Sequence, residues 1–281
     1  MLSVAGPRGF TLVESMLALT VTLVVTGAMY TLLLNTQRLT RAQNARVALQ
    51  SSVRAGVLIV ANELSEVSAV SGGSTSQNDV LALSAHAVTY RATRGIGFIC
   101  HTAAPAVIRL ARNSFSGHRD PQAGRDEALV FVPGDSAAGS EDTWVAVKIA
   151  GVAMTSACPS GAPGITLTLA ASPSLLPLEE GTPVRLAEPM ELRLYEADKI
   201  WWLGARSVTT GEAIQPLVGP LAREGFRLEY LDRLGAPTID RTAVRSIRVT
   251  IRAIEASAEA TRPLIEEELT THVALRNSPV L

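Results

Sequence analysis

The stretch GFTLVESMLALTVTLVVTGAMYTLLL, residues Gly9 to Leu34, decides how the rest of the chain is read. From Phe10 to Leu34 it holds 25 residues with one charge, Glu14, and no proline. As a helix this run is about 37 Å long, enough to cross a hydrocarbon core of roughly 30 Å. A secretory signal has a shorter apolar stretch, of about 7 to 15 residues, and a cleavage site after it. Here the short leader MLSVAGPRG comes first, with Arg8 as its one charge and Gly9 directly before the apolar run. Positive charge on this flank holds the leader in the cytoplasm while the remainder is translocated. A carboxylate in hydrocarbon costs several kcal/mol and persists only if it is paired, so Glu14 is a functional position by default. Cleavage after Gly9 creates a partner for it, the new amine of Phe10.

Gly9-Phe10-Thr11-Leu12-Val13-Glu14 resembles the processing site of type IV prepilins and pseudopilins. The resemblance implies that a membrane-embedded prepilin peptidase cuts between Gly9 and Phe10 and methylates the Phe10 amine. It further implies that Glu14 pairs with the N-terminus of a neighbouring subunit during assembly. The partners implied are that peptidase, other pilins or pseudopilins through the N-terminal helix, and an inner-membrane assembly platform. The location implied is the inner membrane, crossed once, with a periplasmic head and a periplasmic or extracellular filament after assembly. The alternative reading is a plain signal anchor with a stray glutamate.

The helix is expected to continue past the membrane. Leu49, Val53, Val57, Val60, Leu64 and Val67 recur at intervals averaging 3.6 residues, the period of an amphipathic helix. Ser51, Arg54, Asn62 and Ser65 face the other way, with Leu58 as an exception. Ser71 to Ser76, SGGSTS, then ends the helix. The organisation expected is a leader at 1–9, a transmembrane helix at 10–34, an amphipathic continuation at 35–70 and a β-rich periplasmic domain at 71–281. A helix from Phe10 to Val70 would run about 90 Å, which matches the lollipop form of the family. Many major pilins carry a proline partway along the transmembrane helix. None stands between Pro7 and Pro105 here.

Beyond the linker, short apolar runs punctuated by Gly and Pro read as strands: 80–84, 87–92, 128–132, 144–149, 165–169, 192–196, 200–205, 227–231 and 246–254. Alternation is clearest in the last, with Ile247, Val249, Ile251 and Ala253 on one face. One helix followed by many antiparallel strands gives an α+β class. Leu192 to Arg206 reads as a hairpin turning at Ala197-Asp198, and it resembles a strand pair of large minor pilins. So do Arg227 to Asp232 with Val244 to Ile251, and the tail His272 to Asn277. These matches point to the type J or W minor kind. Gly95 to Arg125 is expected to be a loop-rich insertion.

The chain offers little chemistry besides. A formal charge of −1 over 281 residues lacks the positive field that nucleic-acid binding needs. His86, His101, His118 and His272 show no zinc spacing, and no phosphate-binding loop is present. No cofactor is indicated, although Asp120, Asp126 and Glu127 near Gly124 offer oxygen ligands for calcium without EF-hand spacing. Cys100 and Cys158 are an even count, which allows one disulfide in an oxidising compartment and equally suits two buried small hydrophobes. The acidic run Glu266 to Glu268 is read as an exposed face or turn. Of the neighbours Trp201 and Trp202, one ring should pack inward and one outward on a strand. The function expected is that of a structural minor pilin or pseudopilin, not an enzyme. The alternatives are a tip-located subunit that binds a surface, a substrate or DNA, and a membrane-tethered enzyme.

Overall fold

The computed structural model describes residues 9, 11–68, 78–134, 142–171, 178–255 and 265–276. Residues 1–48 form one unit and residues 49–281 another, and each is described by itself. The leader, Phe10, the linker Ser71 to Ser76 and Asn277 lie outside the described residues, Gly9 excepted. The class is α+β, one long helix followed by antiparallel strands.

Helix α1 runs Leu12–Ser65. Thr11 caps it: its hydroxyl accepts a hydrogen bond from the Glu14 backbone N–H at 3.3 Å, and its carbonyl accepts from Ser15 at 3.1 Å. In the second unit, Leu49, Val53, Val57, Val60, Leu64 and Val67 are all buried, as their spacing requires, and Leu58 is exposed. The helix closes at Ser65 rather than at Val70, because other partners take the backbone there. The Val67 N–H bonds to the Leu64 carbonyl, the Ser68 N–H to the Asp79 carboxylate at 3.0 Å, and Ser68 forms a parallel bridge with Arg276.

The strands are β1 (Val80–Ser84), β2 (Ala87–Ala104), β3 (Val107–Ala111), β4 (Ser116–Gly117), β5 (Glu127–Val132), β6 (Thr143–Ala157), β7 (Pro163–Leu169), β8 (Pro183–Ala197), β9 (Ile200–Ser207), β10 (Gln215–Leu231), β11 (Ser246–Ile254) and β12 (Glu266–Ala274). Two strands organise them. Along 87–98, β2 pairs with β8, from Ala87 opposite Arg193 to Phe98 opposite Pro183. On one side β1 joins β2, and on the other β9, β10, β11 and β12 follow β8 in order. This sheet packs on the buried stripe of α1, with Phe226, Ile247, Val249, Ile251, Leu203 and Tyr90 in a shared core.

The remainder of β2 pairs with β3, β3 with β7, β7 with β6, β6 with β5, and β5 with the start of β8. Those pairings and the one between β2 and β8 close a ring of six antiparallel strands, a small barrel that removes its own edges. Its interior is a second core: Ile99, Ile108, Leu110, Val130, Ile149, Ile165, Leu167, Val184 and Leu186, with no residue from the helix.

The expected insertion at Gly95 to Arg125 is therefore corrected. Most of its first half is strand, and its aliphatics Ile99, Ile108 and Leu110 fill the barrel. Glu266 to Glu268 likewise begins a nine-residue strand rather than a turn, with Glu266 and Glu268 exposed. It lies at the sheet edge, where charge discourages pairing with another chain. The β8–β9 hairpin turns one residue later than expected, at Asp198-Lys199, both with positive φ (51° and 63°), because Ala197 pairs with Ile200. Trp201 joins the helix-packed core, and Trp202 lies on Gly219, where an added Cβ would meet its ring at 2.5 Å.

Close backbone approach decides one glycine. A Cβ at Gly225 would meet the Arg252 carbonyl oxygen at 2.4 Å and the Ala222 nitrogen at 2.7 Å, where no side chain can swing away. It sits where the register of β10 on β11 shifts between Leu221 and Phe226. Gly225→Ala is expected to lower stability by about 1–3 kcal/mol, read from chemical denaturation of the detergent-solubilised chain. An unchanged midpoint would mean that the irregularity yields without cost.

Candidate functional site

The motif residues lie at the start of the chain. Gly9 is exposed with nothing within 4 Å of a Cβ added to it. Glu14 stands in the first turn of α1, exposed, where a carboxylate also meets the positive end of the helix dipole. Around and beyond it, Leu12, Val13, Met16, Leu17, Leu19, Val21, Leu23, Val24 and Met29 are exposed on the helix surface. The hydroxyls of Thr20, Thr22, Thr31 and Thr36 donate to the carbonyls of Leu17, Ala18, Ala28 and Leu32 at 2.8–2.9 Å. Their polarity is thereby satisfied within the helix, as hydrocarbon surroundings demand. α1 is long and apolar enough to cross a membrane. What the surface offers is apolar packing area and one carboxylate, at a depth where a cation is the natural partner.

In the second unit many of the described ionisable residues make structural pairs. Glu188 on β8 is buried and receives Arg94 Nε at 2.7 Å, Arg119 Nη2 at 3.1 Å and Arg125 Nε. Burial pushes its carboxyl up, but the three guanidiniums outweigh this and hold it at about 2. Arg119 also forks onto Asp126 at 2.5 and 2.7 Å, and Arg125 onto Glu212 at 2.6 and 3.3 Å. This network ties β2 and the 118–126 segment to β8 and to the turn before β10. No local signal in the sequence marks it, because Glu188 is remote along the chain from the arginines that surround it.

The carboxylates considered for calcium go to separate arginines: Asp120 to Arg112 at 3.0 Å, Asp126 to Arg119, and Glu127 to Arg91 at 2.9 Å. Among the described residues no three His, Cys, Asp or Glu side chains gather as a metal site. His86 bonds the Phe226 carbonyl at 2.8 Å, and His272 accepts from Arg248 Nε at 3.2 Å. Cys100, on β2, and Cys158, just past β6, are joined by a disulfide with Cα atoms 5.8 Å apart. It links two walls of the barrel that have β3 and β7 between them.

Residues 6–30 match the family model described as the prokaryotic N-terminal methylation motif. Comparison with curated proteins and with solved structures gave no match. The matched span covers Gly9, Phe10 and Glu14 and all but the last four residues of the apolar run Phe10 to Leu34. The motif thus stands at the start of a helix long and apolar enough to cross a membrane, which supports membrane anchoring.

Proposed function

We propose that the chain is a structural minor subunit of a type IV pilus, a type II secretion pseudopilus or a competence filament, made as a precursor and cut between Gly9 and Phe10. The observation that carries this reading is the methylation motif at residues 6–30 laid on a helix whose stretch from Leu12 to Leu34 carries no charge except Glu14. The prepilin peptidase removes the leader and methylates the Phe10 amine. The exposed apolar face of α1 then packs against other pilin helices. Glu14 accepts the amine of a neighbouring subunit, which relieves the cost of its charge in lipid and makes extraction into the filament selective. The head is periplasmic before assembly, an oxidising compartment in which the Cys100–Cys158 bridge is stable. The large β-rich head is in keeping with the type J or W minor kind, and the chain acts by assembly rather than by turnover.

The first test is the intact mass and N-terminal sequence of the chain isolated from its native membrane. The expected chain begins at Phe10 and carries one added methyl group. A chain that still begins at Met1 overturns the processing step.

A further inference from the structure

Beside the point where β2 passes from the helix-packed sheet into the barrel lies a cavity of about 640 Å³, walled by Glu66, Ile96, His118, Trp144, Arg185 and Arg276 among others. Its size falls in the range of small-molecule sites, roughly 300–1,000 Å³. Its walls bring charged and apolar side chains together. Arg185 is fixed before any ligand arrives: Nη2 reaches the fully buried Asp79 carboxylate at 2.5 Å, and Cζ lies 6.0 Å from the centre of the Trp144 ring. Arg185 Nε, itself buried, has no hydrogen-bond acceptor among the described residues. Arg276, 63% exposed, has only Glu66 at 4.0 Å, and the His118 ring makes no hydrogen bond among the described residues. Ile96, 40% exposed, stands directly across the β2–β8 pairing from Arg185.

This lining holds more donors than acceptors next to an apolar surface. An acceptor-only, planar anion matches the guanidinium fork, and an apolar group attached to it covers Ile96 and Trp144. A free cation would face Arg185 and Arg276. A phosphate would set its larger charge against Glu66. We propose that this cavity binds a carboxylate joined to a branched apolar group, the chemistry shared by a peptide C-terminus and a free short-chain carboxylic acid. Arg185 orients the carboxylate, Arg276 exchanges Glu66 for it, and Ile96 with Trp144 holds the apolar part.

The test is calorimetric titration of the full chain in detergent micelles with three probes: acetyl-Ala-Leu with a free carboxylate, its C-terminal amide, and isocaproate. Saturable binding of the free peptide, at least tenfold weaker for the amide, is expected. The exposed substitution R276E should weaken binding tenfold or more, and E66Q should tighten it severalfold by removing the competing negative charge. Isocaproate binding as well as the peptide identifies a free acid as sufficient, and weaker binding identifies a peptide terminus. Equal binding of acid and amide, no binding of any probe, or indifference to both substitutions overturns the proposal. The two substituted side chains are 63% and 48% exposed, so the variants retain the fold on which the measurement depends.

Discussion

Glu14→Ala should leave cleavage after Gly9 intact and lower the amount of the chain found in sheared filaments by tenfold or more. A charged side chain in the apolar core costs on the order of 3 kcal/mol, about two powers of ten in a partition equilibrium. That cost is highest while the subunit stands alone in lipid and falls when an amine pairs with the carboxylate. Removing the charge stabilises the lone subunit and takes away the pairing, so both effects act against extraction. The head contributes nothing to the change, since Glu14 lies in residues 1–48 and the buried cores are built from residue 49 onward. Glu14→Asp, which keeps the charge on a shorter stem, should recover part of the loss. Filament content at the parental level in Glu14→Ala would remove the pairing role while leaving the processing step standing.

Glu188→Ala should destabilise the head by about 3–5 kcal/mol, because it takes the shared buried acceptor from three arginines and leaves Arg94 with no other among the described residues, while Arg119 and Arg125 keep only Asp126 and Glu212. Glu188→Gln keeps a carbonyl acceptor without the charge and should fall between the two. The same group sets an acid limb. Its folded carboxyl lies at about 2, below the 4.5 of a free glutamate. A depressed value means that the stabilisation is fully present above about pH 5 and is lost as pH falls from 4.5 through about 2, in total on the order of 3 kcal/mol. In Glu188→Gln this part of the pH dependence should vanish from denaturation midpoints measured between pH 6 and pH 3. Parallel acid limbs in parent and variant would show that the arginines find other acceptors.

The helix could be read directly, although it ends at Ser65 rather than Val70, and the later strands only in part. An amphipathic helix advertises itself through neighbours three and four residues apart, so the stripe from Leu49 to Val67 was legible from spacing alone. The Ser246–Ile254 strand was legible for the same reason, since strict alternation is local. β3 was not, because five residues carrying Arg109 between two aliphatics give too short a pattern. β12 was not, because the acidic run at an edge strand hides its period behind exposure.

What the sequence alone determined is what depends on near neighbours along the chain: the apolar helix with its one acid, the methylation motif at its start, the buried stripe after it and the α+β class. Only the tertiary structure decided the closure of β2, β3, β7, β6, β5 and β8 into a barrel with its own core. It also decided the meeting of Glu188 with Arg94, Arg119 and Arg125, and the cavity beside Trp144 and Arg185. The physical reason is that a helix satisfies its backbone hydrogen bonds within itself, whereas a strand must find its partner elsewhere in the chain. Which strands pair then fixes which distant side chains share a site.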